Sequence, residues 1–494
     1  MGGFGPIQLV ILAAVGTIIG VWLVRRRGRI DGAEPLYPPA DVTRLALASL
    51  ILKGPGFRSL IRRRTANPFR ALAPEPELDF PLVKKACDRF DQEELGYWWV
   101  LVVLTLALLL LRPPAPLTLL GLAGLVAVTL RRRWRVRFKL APRFTRANYD
   151  PEALRRELGM PPEPPGPGAP VVCHGLSDPF VGLGVNFGGW NLAFDVSRPA
   201  EGQGAVKGDL DAAAMDQAIT QSIRRLSIAG LTLDEVMFVN GAQSGPVGLQ
   251  SDAYARPAAA APEGQVAGYR YAASPVARVY RRALITDWSG ELVLTFLFRC
   301  MRRGDVLVVE AAQLALTPPG AEYRDVDRMR ELSPLGHVAW WAAAVAMTIP
   351  DVILAFATTG RRTFEVIDQA LFGGDEGRER REIRADPAYN YGALWSLRTH
   401  MASKNYSSYF QKSDASQYFR AINEQSLNAV RDCLTEYGID CRALGEQAVS
   451  IHNNSVQITA ARDVSLSGVA VGAAATARTG AVGRALANAG GGRS

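Results

Sequence analysis

Long apolar runs and short alternating ones divide this chain into two kinds of segment. Residues 5–24, GPIQLVILAAVGTIIGVWLV, carry no charge and match the roughly 20 apolar residues needed to cross a hydrocarbon core of about 30 Å. The uncharged MGGFGP precedes the run and Arg25, Arg26, Arg27 and Arg29 follow it. A cleaved signal peptide has the reverse order, so the pattern predicts a retained anchor with its N-terminus outside. A second apolar block, residues 95–130, is split at Arg112-Pro113-Pro114-Ala115-Pro116, because proline lacks an N–H and clashes inside a helix. The expectation is a membrane hairpin with both ends cytoplasmic, entered through Tyr97, Trp98 and Trp99.

A third block, HVAWWAAAVAMTIPDVILAFATTG (337–360), is interrupted at Pro350-Asp351. It reads as a fourth crossing or as a kinked interfacial or re-entrant helix. The second is favoured, since a crossing puts Arg378, Arg380 and Arg381 outside, against the positive-inside rule. Between the anchor and the hairpin, RLALASLILKGPGFRSLIRRRTANPFRALAP mixes apolar and basic positions. That stretch suits an amphipathic helix at the membrane surface, or a linker.

Beyond the stiff PPEPPGPGAP segment (161–170) the periodicity changes. LDAAAMDQAITQSIRRLSIAG places Met215, Ile219, Ile223 and Leu226 on one helical face and stops at Gly230. EVMFVNG, ARVYRRALITDW, ELVLTFLFRCM and DVLVVEAAQLAL read as strands, the last three a meander turning at Ser289-Gly290 and at Arg302–Asp305 and ending at Pro318-Pro319. One helix against an antiparallel sheet predicts an α+β domain. Residues 361–440 read as helices, the last with Phe419, Ile422, Val430, Cys433 and Leu434 near one face before Gly438.

The fold class is therefore a membrane α-helical anchor plus hairpin, with a cytoplasmic α+β domain and a helical C-terminal region. Its parts are an anchor (1–29), a juxtamembrane segment (30–94), the hairpin (95–130) and a basic, Pro-rich linker (131–170). The α+β domain (171–335), the third apolar block (336–360), the helical region (361–449) and a short β-prone segment with an Ala/Gly-rich tail (450–494) follow.

Charge sharpens this picture. The net charge is +9, but Arg25–Arg29 and Arg131, Arg132, Arg133, Arg135, Arg137 and Lys139 account for the surplus. Basic clusters beside apolar spans suit anionic lipid headgroups, so the expected partner is an anionic bilayer, not nucleic acid, in a multi-pass membrane protein. The five cysteines are scattered, with no C-x-x-C pair. No cofactor or metal is expected.

The stretch VVCHGLSDPFVGLGVNFGGWNLAFDV (171–196) resembles a nucleotide fingerprint at first sight. Its spacing is G-x-G-x-x-x-G, one residue too long, and a strand (Trp190, Leu192, Phe194 and Val196 on one face) follows where a helix is needed to meet phosphate. The glycines instead permit close strand packing. Cys173 and His174 are adjacent on a strand and point to opposite faces, so they do not form a dyad; Asp325 and Asp327 could bind a metal but read better as a solvated loop. Two readings stand for SDPFVGLG. It is a recognition loop, with Ser177 and Asp178 polar, Gly182 and Gly184 shaping the backbone, and Phe180 and Trp190 apolar, or it is a turn feeding the core. In the tail, Asn453, Asn454, Val456, Ile458, Val464 and Leu466 suit stacked β-arcs between copies, giving a homo-oligomer; the alternative is a tail without fixed structure.

Three motifs together, SDPFVGLG, SGELVLTFLFRCMRRGDVLVVEA running into TPPGAEYRDVD, and NNSVQITAARDVSLSGVAVG, resemble a group of uncharacterised integral membrane proteins from bacteria with high-GC genomes. That resemblance implies an inner-membrane protein and transfers no catalytic residue. The expected function is a membrane-anchored, non-enzymatic protein that binds a ligand or partner and assembles through its C-terminal segment. A channel built from oligomerised hairpins and a membrane-bound enzyme are the alternatives. Against the channel, residues 97–111 and 117–130 hold no ionisable side chain to line a pore.

Overall fold

The computed structural model describes residues 40–161, 168–175, 178–329, 331–442 and 444. The expected anchor at 5–24 and the arginines behind it lie outside these residues.

Two short helices open the described chain, α1 (Val42–Leu52) and α2 (Pro55–Thr65). Asp41 caps α1 by accepting from the Arg44 N–H at 2.9 Å. Every residue from Val42 to Ile51 is buried, so α1 is a core helix enclosed on all sides, rather than an amphipathic helix spread on a surface. Next, α3 (Phe80–Leu111) is one unbroken helix with two characters. Its first half buries Leu82, Val83, Ala86 and Phe90 against α1 and α2, while its second exposes Val100, Val103, Leu106, Leu109, Leu110 and Leu111. It ends at Arg112, left-handed at φ 43°, before the proline pair. The return helix α4 (Ala115–Trp134) exposes Leu117, Leu119, Leu120 and Leu122 and runs on through a π-helical turn (Arg135–Leu140). A side chain on Gly121 would strike Leu108, so glycine lets the two helices approach closely. Phe80–Leu111 and Ala115–Phe144 are long and apolar enough to cross a membrane.

The third apolar block forms α8 (Pro334–Ala346) and α9 (Thr348–Phe372), bent by 48° at Met347. The bend lies three residues before the expected Pro350. Proline in a first helical turn loses no internal hydrogen bond and so needs no kink there. A Gly373 turn leads to α10 (Gly374–Ala385).

Between these helical parts stands one seven-stranded sheet. Its strands are β1 (Ala169–His174), β2 (Val185–Asp195), β3 (Leu231–Asn240), β4 (Ala260–Ala261), β5 (Ala277–Asp287), β6 (Leu292–Arg303) and β7 (Val306–Leu316). The order is β2-β7-β6-β5-β3-β1-β4. The meander β5-β6-β7 is antiparallel as its turns predict, but β1 lies parallel to β3, which makes the sheet mixed. One face carries Trp190, Leu192, Phe194, Ile285, Phe296 and Val309. It is covered by α6 (Ala212–Arg224), through Met215, Ile219 and Ile223, and by α12 (Tyr409–Glu436), through Phe419, Ile422, Val430 and Leu434. The sequence separates α12 from the sheet domain, whereas in space it is half of that domain's helical layer. Helix α6 ends at Arg224, and Gly230 (φ +75°) instead turns the chain into β3. The short helices α5 (Pro151–Glu157), α7 (Glu263–Tyr269) and α11 (Leu397–Met401) complete the chain order.

Candidate functional site at the base of the apolar hairpin

The expected recognition loop is tied to the core at almost every residue. Asp178 is exposed, and its carboxylate accepts from the Phe180 N–H at 2.9 Å, closing a local turn. Phe180 meets Phe238 edge-on at 5.5 Å, on the sheet face opposite α6 and α12. Gly182 (φ +87°) and Gly184 (φ +103°) sit where a side chain would strike the Pro74 and Ala315 carbonyls. Trp190 is buried, and its indole N–H donates to Asn423 Oδ1 of α12 at 3.1 Å. The loop therefore anchors the sheet, and Trp190 is a core residue turned away from it. Ser177 lies outside the described residues, as do Asn453, Asn454, Val456, Ile458, Val464 and Leu466.

The other candidates are also occupied. Cys173 is buried and its thiol is pushed up to about 12 by burial, the opposite of an activated nucleophile. Asp327 is gripped by both Arg44 nitrogens at 2.8 and 3.1 Å, while Asp325 stays at the surface. Among the described residues no group of three or more His, Cys, Asp or Glu is placed to hold a metal ion. An open cleft lined by Asp41, Glu75, Glu77 and Asp79 is acidic, but Asp41 caps α1, Asp79 pairs with Arg155, Glu77 takes the Thr286 hydroxyl and Glu75 pairs with Arg64.

The densest chemistry lies where the hairpin meets the rest of the chain. Arg58 of α2 is 1% exposed and reaches two carboxylates of α3, Asp91 at 2.7 Å and Glu94 at 2.5 Å. A guanidinium fork suits two such acceptors. Arg62, one turn on, shares Asp91 at 3.3 Å, and so does Arg362 of α9 at 3.4 Å. Across the hairpin, Asp351 of α9 is 3% exposed. It accepts from Arg133 at 2.8 and 2.9 Å and lies 3.6 Å from Arg132, which also reaches Glu94 at 3.5 Å. The Arg132 guanidinium rests on the Trp98 ring at 4.2 Å. Five arginines of α2, α4 and α9 thus share three carboxylates of α3 and α9, with Glu365 a further partner of Arg362 at 3.3 Å, which leaves a net positive charge where apolar helix gives way to polar domain. Burial lowers the pKa of Arg62, and Asp91 opposes that shift. The void within this joint is about 10 Å³, room for at most one water molecule. Just above, Ala355 of α9 packs with Trp98, Leu101, Val102 and Leu125.

A second node joins this layer to the sheet. Glu75 pairs with Arg64 and accepts from Ser396 Oγ and the N–H groups of Leu397 and Arg398 at 2.6–2.7 Å. Burial pushes the Glu75 carboxyl up against the pull of Arg64. Arg398 is fully buried and donates to the carbonyls of Thr317 and Glu291, at the ends of β7 and β6, at 3.0 and 2.7 Å. Glu291 in turn accepts from Arg324 and from the Ala40 N–H, both at 2.6 Å. Ion pairs and buried hydrogen bonds link this helical layer to the sheet. The arrangement offers no nucleophile–base pair; what it does chemically is hold charge rigidly.

Sequence reasoning passes over this joint, yet one signal for it exists. Asp351 is a lone acid inside an apolar block, and Arg131–Arg133 directly follow the hairpin; an ionisable residue in such a setting calls for a named partner.

A family model for the AbeC-like domain matches residues 189–465. The chain belongs to the AbeC-like domain family. No curated protein and no solved structure matches it. The AbeC-like region takes in most of β2, β3 to β7 and α6 to α12, and hence Asp351; Arg58, Glu94, Arg132 and Arg133 precede it. The joint is thus where the AbeC-like region of this chain grips its apolar hairpin.

Proposed function

We propose that this AbeC-like protein is a membrane-anchored, non-enzymatic binding protein of a bacterial inner membrane, of the kind found in high-GC bacteria. Its hairpin crosses the bilayer and its sheet domain faces the cytoplasm, with anionic lipid around the basic hairpin base. The sheet domain recognises a ligand or protein partner, and the segment Asn453–Leu466 carries self-association, so that recognition clusters the membrane helices. The observation that supports this reading is the buried grip of Arg132 and Arg133 on Asp351, which passes any displacement of the AbeC-like region to the hairpin. A protein that only needed tethering would not require buried charge there, because desolvating ions is costly.

The test is the mass of the detergent-solubilised protein, full length against a truncation after Ala448. A large oligomer that the truncation abolishes is the expected result. Equal, small masses for both forms reject self-association and leave the sheet domain to be searched for a ligand alone.

A further inference from the structure

Helix α9 outruns the hairpin. Thr348, Asp351, Ala355 and Thr359 are its buried residues, one face at helical spacing turned to α3 and α4. On another face Ile349, Ile353 and Phe356 are exposed, and Phe364, Ile367 and Leu371 continue that stripe past Gly360. At 1.5 Å per residue the helix is about 37 Å long. Where it passes Arg362 it reaches Asp91, the carboxylate that also holds Arg58 and Arg62 of α2. Its distal half therefore starts beside the C-terminal turn of α2.

Between that turn and α10 opens a cleft of about 290 Å³, whose lining includes Arg63, Arg64, Asn67, Arg70, Glu379 and Trp395. Arg64 is committed to Glu75. Arg63 is exposed and has no ion-pair partner among the described residues. Arg70 stacks on Tyr389 at 5.1 Å and donates to that hydroxyl at 3.2 Å, with no carboxylate of its own. Of the two acids in the lining, Glu379 accepts from the Tyr389 hydroxyl and Asp375 pairs with Arg378 at 3.1 Å. Arg63 and Arg70 thus line the cleft with no ion pair of their own among the described residues, against the one carboxylate, Glu379, that is likewise outside any arginine pair there. Around it, Arg380 lies over Phe69 and Tyr254 at 5.5 and 5.2 Å. Arginine forks suit phosphate oxygens, aromatic rings suit headgroup depth, and an apolar stripe continuous with the hairpin suits the acyl boundary.

We infer that this cleft binds the phosphate headgroup of an anionic phospholipid, with α9 lying along the leaflet beside it. The inference rests on the membrane reading above and adds a specific site to it. The full chain in detergent is titrated with phosphatidylglycerol and with phosphatidylcholine, and bound lipid is counted by native mass spectrometry. The expected result is retention of phosphatidylglycerol, weakened at least tenfold in Arg63→Gln/Arg70→Gln and largely kept in Arg63→Lys/Arg70→Lys. Arg63→Gln alone, at an exposed residue with no ion-pair partner among the described residues, gives a smaller loss and is expected to leave the fold intact. Equal retention by wild type and the double Gln variant overturns the inference. So does binding of inorganic phosphate as tight as that of the lipid, or of a short single-stranded RNA that the double variant abolishes. Partition of the full chain into pure phosphatidylcholine vesicles separates the two failures. A protein that does not partition loses the membrane reading and this site with it, whereas one that partitions without lipid preference loses only the site.

Discussion

Asp351 and Arg133 lie 218 positions apart in the chain and 2.8 Å apart in space. Removing one member of a buried ion pair costs about 3–5 kcal/mol, because the remaining charge stays desolvated. Arg133 is 27% exposed at its side chain, so Asp351→Asn is expected to cost nearer to about 2–3 kcal/mol. Arg133→Gln costs less, since Arg132 still reaches the carboxylate. A double-mutant cycle on unfolding midpoints is expected to give a strongly non-additive sum.

Arg58 is the more buried partner, with a side chain 2% exposed between Asp91 and Glu94. Arg58→Met leaves Asp91 to Arg62 and Arg362, Glu94 to Arg132 alone, and the Leu50 carbonyl without its donor, and is expected to cost about 2–4 kcal/mol. Arg58→Lys recovers less than half of that, because one ammonium cannot span both acceptors as the planar fork does. Denaturant unfolding of the detergent-solubilised chain measures both.

The glycines of the 178–184 loop serve packing. Gly184→Ala places a methyl against the Ala315 carbonyl at φ +103°, and a loss of more than about 2 kcal/mol is expected from clash and backbone strain together. Trp190→Phe leaves Asn423 Oδ1 without its donor and costs about 1–3 kcal/mol. A thermal shift that matches these losses supports the structural role; variants of native stability with a lost ligand contradict it.

Acid and base act oppositely on two of the buried carboxylates. Burial works against the Asp327 carboxylate, but Arg44 and Arg146 hold its pKa below the usual range. Its stabilisation is complete above the ordinary Asp value and fades as pH falls through the lowered one. Burial raises Glu75 despite Arg64, so its contribution is complete below the ordinary Glu value and fades as pH rises through the raised one. Melting temperature against pH is therefore expected to flatten on its acid side in Asp327→Asn and on its neutral side in Glu75→Gln.

Elements with local signals are legible in the sequence. The faces of α6 and α12, the β5-β6-β7 meander and the break at Arg112-Pro113-Pro114 follow from spacing and proline chemistry. The alternation that groups Trp190 with Leu192 and Phe194 already marks that tryptophan as core, and this signal outweighs a ligand-binding reading. Helix α1 is hidden because its apolar run reads continuously with the basic α2, which blurs a buried helix into an amphipathic one. The parallel β1–β3 pairing, the docking of α12 on the sheet and the charged joint are non-local. Nothing near Asp351 in sequence announces Arg133, and composition alone assigns the arginines after the hairpin to lipid.

The central claim is that the AbeC-like region and the apolar hairpin move as one body through the joint. Hydrogen exchange of the full chain in lipid nanodiscs, wild type against Asp351→Asn, tests it most directly. The account predicts faster exchange in α9 that spreads to residues 90–102 of α3, the last turns of α4, and α1 and α2. Acceleration confined to α9, with α1 to α4 unchanged, would contradict it.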